Sequence, residues 1–422
     1  MNKLEDIFAK CYGDGGYFGQ YRKDDPLGAA RPILDSIPSP QMTYRGKELI
    51  MWSVNNYLGL AGEKSIQDVA RKTLESHSIS SPMGSRMMSG NTSEHIALER
   101  SFAQWQNKEA AVLFNFGYMG VLGTISAIAG PGDTIIVDKL AHACILDAAF
   151  LSRAKLRFFR HNDCEDLENV LKSVNTNRSG GVLIAIEGVY GMTGDIAKLK
   201  EICELKDKYQ ARLFVDDAHG VGVIGEKGRG AADYWGVQDQ VDIVLGTFAK
   251  AFAAIGGFAA AKHEVCEWLA FNARTQVFAK SLPMIYVKTL QHTLELLQRD
   301  DSRRDTMWQR SHSLKEGLRN LGYTIGFGAS PLCAVYVSTA KGHETGERML
   351  AYLREKGIFT SGVVYPVIPP GLVMFRLIPT AAHTEEHVAR TLEAFADMKR
   401  ELSIDVIGDD ELAKIKKLYR IT

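Results

Sequence analysis

The sequence is poor in cysteine, has no excess charge of either sign, and contains no long hydrophobic run. Its six cysteines among 422 residues are scattered without a CxxC pair, which favours reduced thiols over a disulfide framework or a zinc site. Lysine plus arginine and aspartate plus glutamate each number 50, so no net charge attracts nucleic acid or an anionic membrane. No run approaches ~18 apolar residues, and the N-terminus carries acids where a signal peptide needs an apolar core. These absences predict a cytoplasmic globular protein.

Between about residues 50 and 290, short apolar runs alternate with longer amphipathic segments such as 196–210. The runs predict seven strands, at 110–114, 133–137, 156–160, 181–187, 211–215, 241–246 and 256–261. This alternation is typical of an α/β protein with a mainly parallel, doubly wound sheet. A helical segment near 284–320 then leads to a smaller region with strand candidates in "LCAVYVS" and "VMFRLIP".

We therefore predict four parts along the chain. An N-terminal arm comprises residues 1–48, a large domain comprises 49–290, and a smaller C-terminal α/β domain comprises 291–402. Residues 403–422 form a C-terminal extension to which the sequence assigns no role.

Polar residues follow several of the predicted strands, at the sheet edge where ligands of α/β proteins collect. These residues are His142, Glu187, Asp216, His219, Thr247 and Lys250. In addition, Gly117 and Tyr118 follow the strand at 110–114 and open a predicted helix, whose first backbone amides can bind an anion.

This set of side chains suits one cofactor. Lys250 lies among small residues, where a lysine loses its proton readily and can form a Schiff base with an aldehyde. Asp216 can keep a pyridine nitrogen protonated, and the turn at Gly117 can hold a phosphate. Singly, each residue has an ordinary interpretation as a surface lysine, a turn residue or a structural histidine. Together they indicate pyridoxal 5′-phosphate (PLP).

The chain resembles the α-oxoamine synthases, PLP enzymes that join an acyl thioester to an amino acid with loss of carbon dioxide. The resemblance covers about residues 45–400 and depends on the motifs "SVNNYLGL", "MGSRMMSG", "FNFGYMG", "DKLAHACILDA", "VDDAHGVGVIGEKGRG", "GTFAKAFAAIGGF" and "FRLIPTAAHT". It implies a fold-type I PLP-dependent transferase, with a seven-stranded, mainly parallel sheet in the large domain. It also implies a homodimer with active sites shared between subunits.

The resemblance assigns cofactor roles to individual residues. Lys250 would bond the cofactor aldehyde and remove the substrate's α-proton, while Asp216 would pair with the pyridine nitrogen. His219 would hydrogen-bond the phenolic oxygen, and His142 would stack on the ring. The phosphate would be bound by Gly117, Tyr118 and Thr247. On the substrate side, Arg376 would receive the amino acid's carboxylate beside Asn55, a task that suits the guanidinium fork.

Three positions depart from the family pattern. Ala249 stands where relatives have a phosphate-binding serine, and Gly191 stands where they often have a serine beside the ring. Lys280 stands where they have small hydroxyl residues near the partner subunit's cofactor. We hypothesise that Lys280 of one subunit approaches the other's phosphate and offsets the hydroxyl missing at Ala249; a surface lysine is the alternative.

The motifs leave several family members open. "NARTQVFAKSLP" favours a serine palmitoyltransferase-like enzyme that uses a long-chain acyl thioester, carried by coenzyme A or by an acyl carrier protein. "SSPMGSRMMSG" departs from that branch, so the amino acid is either L-serine or L-cysteate, the latter for capnine-type sulfonolipids. A sulfonate would need donors, for which Ser85, Arg86 and Arg31 are candidates.

Other activities also stay open. Within the family, the alternatives are 8-amino-7-oxononanoate synthase and 2-amino-3-ketobutyrate ligase. Outside it, an aminotransferase or decarboxylase could use the same fold, but the arginine motif favours a synthase. A non-catalytic subunit is disfavoured because Lys250, Asp216 and both histidines are present. A peripheral position at the inner membrane face is compatible with a lipid product.

Overall fold

A computed structural model describes residues 6–13, 31–339, 344–364, 368–405 and 407–419. Residues 1–5 and 14–30 of the predicted arm lie outside the described residues.

The helices are α1 Lys64–Ser76, α2 Ser93–Trp105, α3 Gly117–Ile128, α4 Ala143–Ser152, α5 Cys164–Asn177, α6 Leu199–Lys208, α7 Ala231–Tyr234, α8 His263–Asn272, α9 Arg274–Val277, α10 Met284–Arg299, α11 Ser302–Asn320, α12 Glu344–Glu355, α13 Glu385–Glu401 and α14 Asp409–Leu418. The strands are β1 Leu34–Asp35, β2 Gln41–Tyr44, β3 Lys47–Met51, β4 Ala110–Phe114, β5 Thr134–Asp138, β6 Lys155–Phe159, β7 Val182–Glu187, β8 Arg212–Asp216, β9 Ile243–Thr247, β10 Gly257–Ala261, β11 Thr324–Ile325, β12 Cys333–Ser338, β13 Ile358–Phe359, β14 Ser361–Val363 and β15 Leu372–Leu377.

The centre of the predicted large domain is a seven-stranded sheet with the order β4-β10-β9-β8-β7-β5-β6. All its neighbouring strands are parallel except β10, which is antiparallel to both β4 and β9. Every residue of β5, β7, β9 and β10 is buried, which explains why these strands read as continuous apolar runs rather than alternating ones. The seven predicted strands are confirmed, each with bounds within two residues of the prediction.

A second sheet, with the order β11-β12-β15-β14, is antiparallel throughout and lies in the predicted small domain. Both strand candidates of this region are confirmed as β12 and β15. The helical segment near 284–320 is two helices, because the backbone at Asp300, directly after α10, is extended; the Asp300 side chain accepts hydrogen bonds from the amide and hydroxyl of Ser302, the first residue of α11. A third sheet joins the chain's two halves, since β3 pairs with β13.

The C-terminal extension is ordered where it is described. Its helix α14 packs on the small-domain sheet through an apolar cluster that includes Tyr336, Met374, Ile415 and Tyr419. Within the described ranges, no helix has both the length and the apolar content needed to cross a bilayer. The division of the chain into four parts stays a prediction.

Candidate active site

A cleft enclosing about 410 Å³, part of it open to solvent, lies at the carboxyl ends of the central strands. Parallel strands end at the same sheet edge, so residues far apart in the sequence meet there. Seven of the predicted site residues line this cleft: Gly117, Tyr118, His142, Asp216, His219, Thr247 and Lys250. Glu187, which is predicted at this sheet edge without a cofactor role, and Cys144, which has no predicted role, also line it.

Asp216 ends β8 and is 5% exposed. Its carboxylate accepts one backbone hydrogen bond, from the Ala218 amide at 3.2 Å, and a weak one from the Cys144 thiol at 3.6 Å. Burial raises the pKa of Asp216, although the positive charges of Lys250 and His142 oppose the shift. Among the described residues, both hydrogen bonds that this buried carboxylate accepts come from neutral donors, and a protonated pyridine nitrogen would supply a charged one.

Glu187 ends β7 and lies opposite Asp216 in the strand register. Burial, together with the negative charge of Asp216, raises the pKa of Glu187 to about 8. One carboxylate oxygen accepts a hydrogen bond from the Gly191 amide at 3.1 Å. Glu187 therefore holds the backbone at Gly191 in place.

Lys250 follows β9 and lines the same cleft as these two acids. Burial lowers the pKa of Lys250, while the charges of Asp216 and Glu187 act in the opposite direction. A lysine in such surroundings has a larger share of neutral amine, the form that attacks an aldehyde or accepts a proton.

Two histidines flank the cleft, each oriented by a residue without a predicted role. His219 Nδ1 lies 2.9 Å from the Tyr57 hydroxyl. Burial, with the charges of Lys250 and Arg376, lowers the pKa of His219 well below its usual value, so the ring is neutral. The Tyr57 hydroxyl can donate to Nδ1, and in that tautomer the ring proton lies on Nε2 and can be donated to a ligand. His142 Nδ1 lies 2.9 Å from Cys144 Sγ.

Gly191 lies directly against His219. A Cβ at this position would lie 2.2 Å from His219 Nε2, so the imidazole occupies the space that a side chain would need. With His219 in this place, position 191 has no room for the serine that relatives often have there.

The N-terminus of α3 forms one wall of the cleft. No side chain among the described residues caps this twelve-residue helix, so its first amides are available to an anion. Gly117 is needed there because a Cβ would lie 2.6 Å from Thr247 Oγ1. The Thr247 hydroxyl donates to the Gly256 carbonyl at 3.2 Å and accepts from the Ala249 amide at 3.3 Å. An aldehyde-reactive amine, a buried acid and an anion site thus fit PLP.

Arg376 lies in β15, close enough to the cleft for its charge to lower the pKa values of His219 and Lys250. Its Nε donates to the Gly191 carbonyl at 2.6 Å, and its Nη2 donates to Asn55 Oδ1 at 3.4 Å. The structure thus brings Arg376 and Asn55 together, as the resemblance implies.

Ser85 and Lys280 lie outside this cleft within a single chain. They form an isolated antiparallel bridge with each other, and the Lys280 carbonyl accepts a hydrogen bond from the Asn115 side chain. The guanidinium of Arg86 is occupied by Glu99 in a two-bond ion pair at 2.8 Å for each bond. Arg31 is exposed.

Comparison with known proteins agrees with this geometry. The aminotransferase class I and II family matches residues 47–395. A cysteate-C-fatty acyltransferase of Capnocytophaga ochracea is 41% identical over 408 residues, 96% of each chain. An 8-amino-7-oxononanoate synthase of Thermoanaerobacter pseudethanolicus is 38% identical over 375 residues, 88% of this chain and 93% of the relative.

Among solved structures, a serine palmitoyltransferase variant from S. paucimobilis with PLP and myriocin bound is similar, with a TM-score of 0.84 and 30% identity. The match covers 89% of this chain and 94% of that one. The chain belongs to the PLP-dependent aminotransferase class I and II family, and within that family to the α-oxoamine synthases.

Proposed function

We propose that this protein condenses a long-chain fatty acyl thioester with L-cysteate, with loss of carbon dioxide, to give a capnine-type base. The observation that carries the reaction class is the cleft that combines Lys250, Asp216 and His219 with Arg376 at its edge. The choice of L-cysteate over L-serine rests on the C. ochracea relative, whose match extends over 96% of the chain.

Each side chain has a defined task in this proposal. PLP, when bound, supplies a ring that withdraws electrons from the amino acid's α-carbon. Asp216 would keep the ring nitrogen of bound PLP protonated, and His219 would donate from Nε2–H to its phenolic oxygen. Arg376 would bind the amino acid's carboxylate, and His142 would pack against the cofactor ring. Lys250, whose pKa is lowered by burial, accepts the α-proton as its neutral amine.

The overall reaction balances without an external oxidant or reductant. A carbon–carbon bond forms between the α-carbon and the thioester carbonyl carbon, and the thiol departs. The bond to the carboxylate then breaks with loss of carbon dioxide, and a proton returns to the α-carbon. The products are an α-amino ketone, carbon dioxide and a free thiol. Because the product carries a long alkyl chain, we infer that the enzyme works in the cytoplasm beside the inner membrane face.

A spectral titration of the holoenzyme tests the choice of amino acid. We expect L-cysteate to change the cofactor's absorption at a concentration at least about 10-fold lower than L-serine, because one added charged contact is worth ~1.5–3 kcal/mol. L-alanine and glycine are titrated as well, because 8-amino-7-oxononanoate synthase and 2-amino-3-ketobutyrate ligase are the alternative activities. Thiol release from palmitoyl-coenzyme A and palmitoyl-acyl carrier protein then identifies the acyl donor.

Either of two results would contradict the proposal. Saturation by L-serine below the concentration that L-cysteate requires would exclude the cysteate preference. No amino-acid-dependent thiol release with any of the four amino acids would exclude the synthase reaction itself.

We further propose that two copies of the chain complete each active site. Met83, Met88 and Phe278 are exposed apolar residues beside Ser85 and Lys280, on a surface that a second copy would cover. In this arrangement Lys280 approaches the partner's phosphate, and Ser85 lies near the substrate. The first backbone amides of α3 and the Lys280 side chain of the other copy would together bind the phosphate, to which Ala249 offers no hydroxyl.

Mixed dimers distinguish whether Lys280 acts on its own or its partner's site. We expect K280A to weaken PLP binding by about 10-fold, the value of one charged hydrogen bond. A dimer of one K250A subunit and one K280A subunit should contain one site with wild-type PLP affinity and activity, because intact Lys250 and Lys280 meet there. If Lys280 serves its own subunit, that mixed dimer has no intact site. If K280A binds PLP with wild-type affinity, Lys280 is a surface lysine that does not contact the phosphate.

A further inference from the structure

The segment formed by residues 188–198, between β7 and α6, determines where Arg376 lies. Gly191 is at its centre, and both its backbone polar groups are used: its amide donates to Glu187 at 3.1 Å and its carbonyl accepts from Arg376 Nε at 2.6 Å. A shift of the Gly191 peptide would therefore move or release the guanidinium.

The large domain holds this segment on one side. His161 Nε2 lies 3.1 Å from Asp195 Oδ2, and its Nδ1 lies 2.9 Å from Asp138 Oδ1 at the end of β5. The neighbouring Asn162 donates from Nδ2 to the Ile196 carbonyl at 3.2 Å. All these contacts attach the second half of the segment to the sheet.

The small domain and the C-terminal extension hold the segment on the other side. The Tyr419 hydroxyl donates to the Thr193 carbonyl at 3.0 Å, and the Ser330 amide donates to the Gly194 carbonyl at 3.0 Å. Tyr419 lies directly after α14 and is 7% exposed. Its oxygen is 3.1 Å from the Tyr336 hydroxyl of β12, which donates to it because the Tyr419 proton is used on Thr193.

Helix α14 is anchored so that Tyr419 reaches this point. Ile415 is fully buried against the small-domain sheet, and Ser338 at the end of β12 donates to Glu411 at 2.6 Å. Gly326 leaves room for the ring, since a Cβ there would lie 2.1 Å from the Tyr419 oxygen. The extension thus packs on the sheet that contains Arg376. Its last described residue, Tyr419, contacts the segment formed by residues 188–198.

We propose that the C-terminal extension positions the substrate carboxylate site: Tyr419 holds residues 188–198, and through Gly191 this segment orients Arg376. The inference rests on the proposed function, which assigns the carboxylate to Arg376. Tyr419 approaches neither the cleft nor its lining residues, so it is a positioning residue and not a catalytic one.

The test compares Tyr419→Phe with a matched control. Tyr323→Phe removes an equivalent hydroxyl, which is also buried in the small domain and donates to the Phe395 carbonyl at 2.8 Å, away from the segment. We expect Y419F to weaken amino-acid binding by the holoenzyme by about 3- to 10-fold, as loss of one hydrogen bond allows. The KM for the acyl thioester should not change. In the cofactor-free protein, amides of residues 188–198 should exchange hydrogen faster in Y419F alone.

The outcomes separate this inference from the proposed function. Equal amino-acid affinity in Y419F and wild type, unchanged amide exchange in 188–198, or the same loss in Y323F would each overturn the positioning role. If the wild-type holoenzyme responds to no amino acid, the proposed function fails, whereas the exchange measurement still reports whether Tyr419 holds the segment.

Discussion

Replacement of Lys250 with alanine is expected to lower amino-acid-dependent thiol release by at least about 10³-fold, because one residue then loses two tasks. The variant lacks the amine that we propose to bond the cofactor aldehyde and to accept the α-proton. The holoenzyme should also lose the long-wavelength absorption that reports the bond between lysine and cofactor. Steady-state thiol release and the absorption spectrum of the reconstituted variant measure these two losses.

Lys250→Arg is the matched control for charge. Arginine keeps a cation opposite Asp216 and Glu187, but a guanidinium does not give up its proton in proteins and cannot form the aldehyde bond. We therefore expect K250R to fold with near wild-type stability and to be as inactive as K250A. A variant of either kind that kept a tenth of the wild-type rate would show that another residue is the base.

Replacement of His161 with asparagine is expected to destabilise the protein by about 3–5 kcal/mol, the cost of removing one partner from a buried ion pair. His161 lies between Asp138 and Asp195, and the three side chains are 6%, 0% and 10% exposed. Without the imidazolium, two carboxylates face each other with no shared cation. Urea unfolding at neutral pH measures the change in the free energy of unfolding.

The same cluster predicts a pH dependence. Burial by itself lowers the pKa of His161, but the hydrogen bonds and charges of Asp138 and Asp195 outweigh it and raise the pKa from 6.5 to about 9. A folded-state pKa above the unfolded one means that the stabilisation is complete below pH 6.5 and is lost as pH rises through about 9. Between about pH 6 and about pH 10 the wild type should therefore lose about 3 kcal/mol that H161N does not lose.

His95→Asn provides the comparison. His95 is also buried and hydrogen-bonded, to Thr92 and to the Leu282 carbonyl, but burial lowers its pKa instead of raising it. Its contribution therefore does not decrease as pH rises through 9, and H95N should show the wild-type slope on the alkaline side. A wild-type slope in H161N as well would mean that His161 is neutral in the folded protein.

Local sequence predicted the central sheet well because all its strands except β6 are largely buried and stand out as short apolar runs. The predicted helix at 196–210 shows the limit of this signal. The helix begins only at Leu199, because Ile196 pairs with Val189 in an isolated bridge and belongs to the segment that holds Gly191. Apolar spacing does not distinguish a residue buried by a helix from one buried by a bridge.

The sequence by itself determined the cofactor chemistry, because residues that follow parallel strands meet at one sheet edge; strand ends alone predicted that Lys250, Asp216 and His142 lie in one cleft. Only the tertiary structure decided how these residues are oriented. Tyr57 lies 162 positions from His219 and Tyr419 lies 226 positions from Thr193, so no local pattern relates either pair. Hydrogen bonds of this kind depend on how domains and extensions pack, and packing follows from the whole chain rather than from any window of it.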